Sequence, residues 1–388
     1  FDLIYILVLF ISRLSIFSYP LDIVPILPVT FLTMLITALI SRKISVFAVF
    51  VFYLAVFGAT DFKIQPALFA ILSGLAGAGM VNIKGRRMDL IKTSLGLILV
   101  QPVIVLCMFA IFPGSASDKS VLLLGTAGSG FISGILVLGF LPILETLMNV
   151  PTSFRLMELS DLNSPIMKKM LISVAGTYNH SMMVASLAES ACREIGANSI
   201  LARVGAYYHD IGKMKRPEFF VENQSGGLNP HNKIKPSLSA LILTSHTKDG
   251  YIMGKENKLP KEVLNVILEH HGTTLTQYFY YKALESGEEV IESNFRYSGP
   301  KPSTKESGII LLADTVEAAT RTLENKTKES IERFIRYLVK TKIEDNQLSD
   351  ANLTLGEIEK IIQSFVITLK GVYHERIKYP KMDEKIKK

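Results

Sequence analysis

Ionisable side chains are scarce in the first 150 residues of this 388-residue chain. Nine Lys/Arg and six Asp/Glu fall there, 15 of 150 positions, against 62 of 238 in the remainder. A stretch that poor in charge does not coat a soluble domain, so a membrane domain followed by a soluble one is expected. Cysteine is nearly missing: Cys107 lies in an apolar run and Cys192 in a helical pattern. That excludes a disulfide framework and a Cys-rich zinc site, leaving both residues as small hydrophobes. Charge of one sign is nowhere concentrated, because the net +7 divides as +3 and +4 between the two parts. No nucleic-acid polymer is expected as a partner. The chain opens with "FDLIYILVLF" and no initiator Met, which reads as an internal start in a longer protein rather than a signal peptide.

Six apolar segments are present, at 3–18, 22–40, 44–60, 65–82, 90–112 and 121–147. Most reach the ~20 residues that cross a ~30 Å hydrocarbon core; the third and fourth are short and the first is truncated. Arg42 and Lys43 mark one connector, and Lys84, Arg86 and Arg87 another, whereas the alternate connectors are weakly charged. Positive loops face the cytoplasm, which places the chain after residue 147 there too. Gly74, Gly77 and Gly79 in the fourth segment, and Gly125, Gly128, Gly130 and Gly134 in the sixth, permit close helix packing. Mid-depth ionisable residues are missing apart from Arg13 near a span end, so an anchor or sensor bundle fits better than a transporter.

Strand-like alternation is scarce in the second part. Apolar spacings of three and four predict helices at 165–196, 198–212, 235–248, 259–271, 304–324, 326–342 and 354–374. Thr354 with Glu357 forms a capping box for the last of these, and 216–236 and 283–304 read as loops. The expected fold is all-α: a polytopic transmembrane helix bundle over 1–148, a linker at 149–164, an all-helical domain at 165–380 and a basic tail at 381–388.

None of the seven histidines lies in the membrane part, and six fall between 180 and 271. His180, His209, His246, His270 and His271 end or punctuate apolar helices, where an unpaired imidazole is costly to bury. Asp314 follows four apolar residues and an alanine in "GIILLADTVEAATR", and a buried carboxylate needs a partner such as a metal. Adjacent helical residues point about 100° apart, but a helix ending at Gly272 lets His270 and His271 face one ion. Imidazole with carboxylate suits Mn, Fe or another first-row ion. Two such ions ~3.5–4 Å apart can clamp a phosphoryl group for in-line displacement. The residues therefore indicate a helical, metal-dependent hydrolase.

His180, His209–Asp210 and Asp314 resemble the H…HD…D signature of HD-domain metal phosphohydrolases, and His246 with His270–His271 resembles their two-ion subset. "GTYNHSMMVASLAE", "ARVGAYYHDIGKMKRPEFFVENQ", "HHGTT", "FRYSGPKP" and "LLADTVEAATR", after six apolar spans, resemble the bacterial seven-transmembrane HD receptor family and its cyclic di-AMP phosphodiesterase members. Asn179 and Ser298 depart from the pattern without removing a ligand. The resemblance implies that an extracellular domain and the first of seven spans precede this chain. It implies one ion on His180, His209, Asp210 and Asp314, a second on Asp210, His246, His270 and His271, and hydrolysis of cyclic di-AMP to pApA beside the bacterial cell membrane. Asp210 and Lys213 are the expected catalytic residues. Lys213, one turn from His209, and Arg321, seven residues after Asp314, are expected at the phosphate. Arg216 and Arg296 are further substrate candidates that, like Asn223, also read as solvated surface; His231 reads as a loop residue and His374 as a surface one. Packed spans and a long final helix are compatible with a homodimer.

Three alternatives compete. Cyclic di-GMP hydrolysis lacks its "GYP" element, because "LTQYFYYKA" follows "HHGTT". (p)ppGpp hydrolysis lacks its paired acids, replaced by "HDIGK". A receptor whose HD domain binds nucleotide and signals without cutting it is the third.

Overall fold

The computed structural model describes residues 28–60, 62–82, 87–112, 119–224, 229–287, 290–325 and 327–372. The first expected span, the start of the second, Lys84, Arg86, His374 and the basic tail lie outside the described residues. The chain divides into two compact units, Phe1–Glu158 and Leu159–Lys388.

In the first unit, α1 (Val29–Leu39), α2 (Arg42–Ala59), α3 (Ile64–Met80), α4 (Arg87–Ile111) and α5 (Lys119–Leu147) correspond to the second through sixth apolar segments. Of these, α4 and α5 are long and apolar enough to cross a membrane, and α1 and α3 are shorter apolar helices. Met34, Leu90, Leu97, Val137 and Leu141 form the inner core. Leu95, Leu99, Val103 and Leu106 of α4 stay exposed as a stripe. A helix apolar on both faces has lipid, not water, as its outer solvent. The small residues sort by face: a Cβ on Gly134 would lie 1.4 Å from Ser94 Oγ, whereas Gly79 and Gly128 meet nothing within 4 Å. Only part of the expected glycine set therefore serves packing. Cys107 is exposed on α4, against the expectation that it packs inside, while Cys192 is buried.

The segment 149–164 contains α6 (Ser153–Leu159). Its start is tied to the end of α5 through Glu145, which is buried but accepts from Thr152 Oγ1 and from Arg87 Nη2 at 2.9 Å. A paired carboxylate is a tolerable burial.

The second unit is built from α7 (Pro165–Ser173), α8 (Ala175–Ile195), α9 (Ser199–Tyr208), α10 (Pro236–Glu256), α11 (Lys261–Glu269), α12 (Gln277–Glu285), α13 (Lys305–Thr320), α14 (Lys328–Glu344) and α15 (Leu355–Val372). Among the described residues no strand forms; one isolated bridge pairs Leu275 with Arg296. Its core joins Val184, Leu187 and Ala188 of α8, Ile309–Ala313 of α13, Ile335 of α14 and Phe365 of α15. Polar side chains set the helix starts: Asn198 Oδ1 accepts from Leu201 N at 3.1 Å, and Thr304 Oγ1 from Ser307 N at 3.2 Å. The capping box forms as expected, Thr354 N donating to Glu357 Oε2 at 2.9 Å and Glu357 N to Thr354 Oγ1 at 3.2 Å.

Several boundaries differ from the periodicity. The expected helix 165–196 breaks at Val174, whose φ/ψ of −144°/60° are not helical. The expected helix 198–212 stops at Tyr208 and tightens into a 3₁₀ turn at Ile211–Lys215. Close approach explains the tightening, because a Cβ on Gly212 would lie 2.0 Å from the His246 carbonyl oxygen. The loop 216–236 contains 3₁₀ turns at Pro217–Phe219, Val221–Asn223 and Pro230–Lys233. His231 there is buried, its Nε2 2.9 Å from Phe219 O and its ring 4.8 Å from that of Phe279. It is a core histidine rather than a loop one. Helix α12 lies where no periodic segment was expected.

Candidate metal centre

Five helices, two of them at their C-terminal ends, bring the expected ligands to one place. His180 sits in the second turn of α8, His209 caps the C-terminus of α9, and Asp210 follows it. His246 lies mid-way along α10, and Asp314 in α13. Helix α11 ends at Glu269, so His270 caps it and His271 begins the turn. Gly272 takes φ +52°, and a Cβ there would lie 2.3 Å from Gln347 Oε1, so only glycine fits. Glu269 anchors this turn to α13, accepting from Ser303 N at 3.0 Å, Ser303 Oγ at 2.8 Å and Ser307 Oγ at 2.5 Å.

Asp210 is the centre of the cluster. Its Oδ2 lies 3.2 Å from His209 Nε2 and 3.6 Å from His180 Nε2; its Oδ1 lies 3.2 Å from His246 Nε2 and 3.6 Å from His270 Nε2. Asp314 Oδ1 is 2.9 Å from His180 Nε2, and its Oδ2 is 3.4 Å from His271 Nδ1. Two candidate ligand groups result: His180, His209 and Asp314, and Asp210, His246, His270 and His271. All seven side chains are buried except His271, which is partly exposed.

Outer partners fix the imidazoles. Nδ1 of His209, His246 and His270 donates to the carbonyls of Ala206, Leu243 and Ile267 at 2.7, 2.5 and 2.9 Å. His180 Nδ1 donates instead to Glu317 Oε2 at 2.5 Å. A proton held on Nδ1 leaves the Nε2 lone pair facing inward. The inward atoms approach without bonding: His180 Nε2, His209 Nε2 and both Asp210 oxygens have no hydrogen-bond partner among the described residues. His246 Nε2 and His270 Nε2 face each other at 3.2 Å. With both Nδ1 protons committed outward, a cation shared between the two inward nitrogens, metal ion or proton, makes that contact favourable. The donor set of imidazole and carboxylate fits divalent first-row ions.

Electrostatics follow from this crowding. Burial opposes ionisation of Asp210, but His209 and Lys213 outweigh it and hold the carboxyl well below its ordinary range. Asp314 is likewise held low, burial being overcome by His180 and His271. Burial lowers His180, yet the Asp314 and Glu317 carboxylates push it up to about 10. Burial and neighbouring imidazoles outweigh Asp210 at His270, which falls to about 4, and depress His271 well below its ordinary value.

The expected substrate contacts divide. Lys213 is at the site: its Nζ lies 2.7 Å from Asp210 Oδ2, as an ion pair off the hydrogen-bond direction, and donates to Glu222 Oε1 at 2.8 Å. It also lies 5.1 Å above the Phe220 ring. Arg321 is drawn onto Glu317, its Nε and Nη2 donating to Oε1 at 2.8 and 2.5 Å. Arg296 donates to Glu292 at 2.7 Å, Asp345 at 3.2 Å and Thr273 O at 2.9 Å. Arg216 is exposed, and Asn223 is a packing residue, donating to Thr177 Oγ1 at 2.8 Å.

Sequence reasoning missed Glu317, Glu222 and Tyr297. Glu317 lies one turn after Asp314 on the same helix face, a signal that was available. Glu222 carries none, because only the folding of 217–224 back over α8 brings it to Lys213. Tyr297 stacks its ring 4.2 Å from that of His271.

A family model described as "7TM receptor with intracellular HD hydrolase" matches residues 1–152, and one described as "HD domain" matches residues 177–319. The cyclic-di-AMP phosphodiesterase PgpH of Bacillus subtilis (strain 168) is 42% identical over 328 residues, 84% of this chain and 46% of that protein. PgpH of Listeria monocytogenes serotype 1/2a (strain 10403S) is 41% identical over 359 residues, 91% of this chain and 50% of that protein. The chain thus spans about half the length of the curated relatives it matches. The crystal structure of the L. monocytogenes PgpH HD domain in complex with cyclic-di-AMP is similar at 48% identity and TM-score 0.53, covering 55% of this chain and 100% of that one. With the apolar helix bundle before it and the histidine–aspartate cluster within it, the chain is a membrane protein that belongs to the family of 7TM receptors with an intracellular HD hydrolase.

Proposed function

We propose that the second unit hydrolyses one phosphodiester bond of cyclic di-AMP, giving linear pApA, from the cytoplasmic face of the membrane. The observation that carries this is the split of Asp210: one oxygen serves His180 and His209, the other His246 and His270. A single carboxylate between two donor groups fits a pair of cations. His180, His209, Asp210 and Asp314 would hold one, and Asp210, His246, His270 and His271 the other; Mn or Fe suits both sets. When bound, such ions supply Lewis acidity that activates water and neutralises charge on the phosphate. In the reaction, a water oxygen forms a bond to phosphorus, the P–O3′ bond breaks, and the departing O3′ takes up a proton.

The protein's own groups prepare that step. The outward Nδ1 bonds aim the inward nitrogens at the cluster. Lys213, held between Asp210 and Glu222, keeps Asp210 ionised and brings positive charge to where a non-bridging phosphate oxygen would sit. Phe220 and Tyr297 wall the site against water, which strengthens every charge interaction inside.

The cytoplasmic assignment rests on alternation. Arg42 opens α2 and Arg87 opens α4, and Arg87 also bonds Glu145 at the end of α5, so basic residues mark one end of the bundle. The chain leaves the bundle at that same end. The relative whose structure holds cyclic-di-AMP supports the adenine dinucleotide as substrate.

The test is to incubate the purified chain with Mn²⁺ and cyclic di-AMP, cyclic di-GMP and (p)ppGpp, and to identify the products. Release of pApA with clear preference over the other two is expected. Equal cleavage of cyclic di-GMP would remove the adenine preference; metal-loaded protein that binds cyclic di-AMP without cutting it would leave a signalling receptor.

A further inference from the structure

A cavity of about 460 Å³ lies beside the histidine–aspartate cluster, lined in part by Thr274, Leu275, Arg296, Thr315, Leu338 and Lys342. Its adjacency to the cluster is covalent: Thr315 follows Asp314, and Thr274 lies three residues after His271. The two regions are also stitched by Tyr297, which stacks on His271 and donates its N–H to Thr274 O at 3.0 Å. The volume falls within the range of small-ligand sites, and a single phosphate at the cluster has no use for it.

The charges on its wall are spent, with one exception. Arg296 is taken by Glu292 and Asp345, and Glu344 pairs with Lys340 at 3.6 Å. Lys342 donates to Thr274 Oγ1 at 3.2 Å and has no carboxylate within ion-pair distance among the described residues. Burial outweighs the attraction of Asp314 and Asp345 and lowers its pKa. A partly buried ammonium without an anion is a costly arrangement that a bound anion relieves.

We propose that this cavity is a second subsite, in which Lys342 anchors the phosphate that is not being cut and Leu275 and Leu338 face the attached nucleoside. The assignment rests on the cyclic-dinucleotide reading above. The macrocycle holds its two phosphates at a fixed short separation, so a group reacting at the cluster would leave its twin nearby, and Lys342 lies close enough to the cluster to feel the charge of Asp314. The subsite gives the enzyme a means of preferring a cyclic dinucleotide over a simple phosphodiester without altering the reacting centre.

The experiment uses the full chain in detergent with Mn²⁺ and measures kcat and KM for cyclic di-AMP, with metal content as the check on folding. Lys342→Met is expected to raise KM about tenfold or more, the scale of one charged hydrogen bond, while kcat changes little and two ions per chain remain. Lys342→Arg should restore most of the affinity. Thr341 also lines the cavity, and Thr341→Phe, which fills it without removing charge, should raise KM as well and decides the matter if Lys342→Met loses its metal. Unchanged KM in a metal-replete Lys342→Met or Thr341→Phe protein overturns the subsite. Wild-type protein that holds two ions but leaves cyclic di-AMP intact overturns the phosphodiesterase reading instead.

Discussion

Replacing Glu317 tests one of the two proposed cation sites. Its Oε2 accepts from His180 Nδ1 at 2.5 Å, and its Oε1 is gripped by Arg321. The carboxylate therefore fixes the His180 tautomer and raises the basicity of Nε2. Glu317→Gln keeps the shape and an acceptor oxygen but removes the charge; Glu317→Ala removes both. Loss of such an outer partner weakens metal binding about 10- to 100-fold, or about 1.4 to 2.7 kcal/mol. The alanine variant belongs near the upper end, because it leaves a buried Nδ1–H unsatisfied. Only the ion that uses His180 should suffer, since His246 and His270 are steadied by the Leu243 and Ile267 carbonyls. Competitive titration with Mn²⁺ should thus change from two similar sites to two separated ones. Equal weakening of both ions, or of neither, would refute the division into sites. Arg321→Ala provides the control: a phosphate contact would raise KM alone, whereas a clamp on Glu317 should weaken the same ion, though less than Glu317→Ala.

Asp210→Ala should abolish turnover and remove both ions, while His270→Ala should abolish turnover and remove one; retention of two ions by Asp210→Ala, read by metal analysis, would break the shared-ligand assignment. Gly212→Ala should lower thermal stability by about 1–3 kcal/mol as an overpacked contact and displace His246, because the new methyl would lie 2.0 Å from its carbonyl oxygen; a wild-type melting curve with full metal content would contradict this. The metal-free second unit should be most stable near pH 6.5. His270, depressed to about 4, favours the unfolded chain as pH falls from 6.5 to about 4, a loss of about 3 kcal/mol. His180, raised to about 10, stabilises the fold below pH 6.5 and loses that contribution as pH rises towards 10. Denaturant midpoints that stay flat between pH 6.5 and 4.5 would show that His270 is not held neutral by the fold.

The sequence disclosed the residues that form the cluster and concealed the groups that orient them. His180, His209–Asp210, His246, His270–His271 and Asp314 were readable because each interrupts an apolar helical run, where an imidazole or carboxylate needs a stated reason to be buried. The capping box at Thr354–Glu357 was readable because both partners lie within one turn. Residue pairs that meet only after helices pack leave no such local mark. Arg321 looked like a phosphate ligand from its position on the Asp314 face, but the nearer carboxylate is Glu317, four residues back, and an i,i+4 ion pair forms at less conformational cost than a long reach to substrate. His231 looked like a loop residue because 216–236 has no periodicity, yet three short 3₁₀ turns bring its ring against Phe219 and Phe279.

Helix endings were the other blind spot, and they matter most for function. Periodicity carried α9 on to residue 212, whereas the helix stops at Tyr208 so that Gly212 can touch the backbone of α10 at His246. His209 keeps helical dihedrals and Asp210 leaves them, so the carboxylate stands where the helix gives way to the 3₁₀ turn, with histidines of different helices on its two oxygens. The turn at Gly272 acts in the same manner, replacing helical geometry just after His270 and His271. Residues at these two endings meet others from within α8, α10 and α13 at one point. A sequence read for period alone will therefore find most helices of this domain, miss α12, and misplace the few residues between helices that join the cluster.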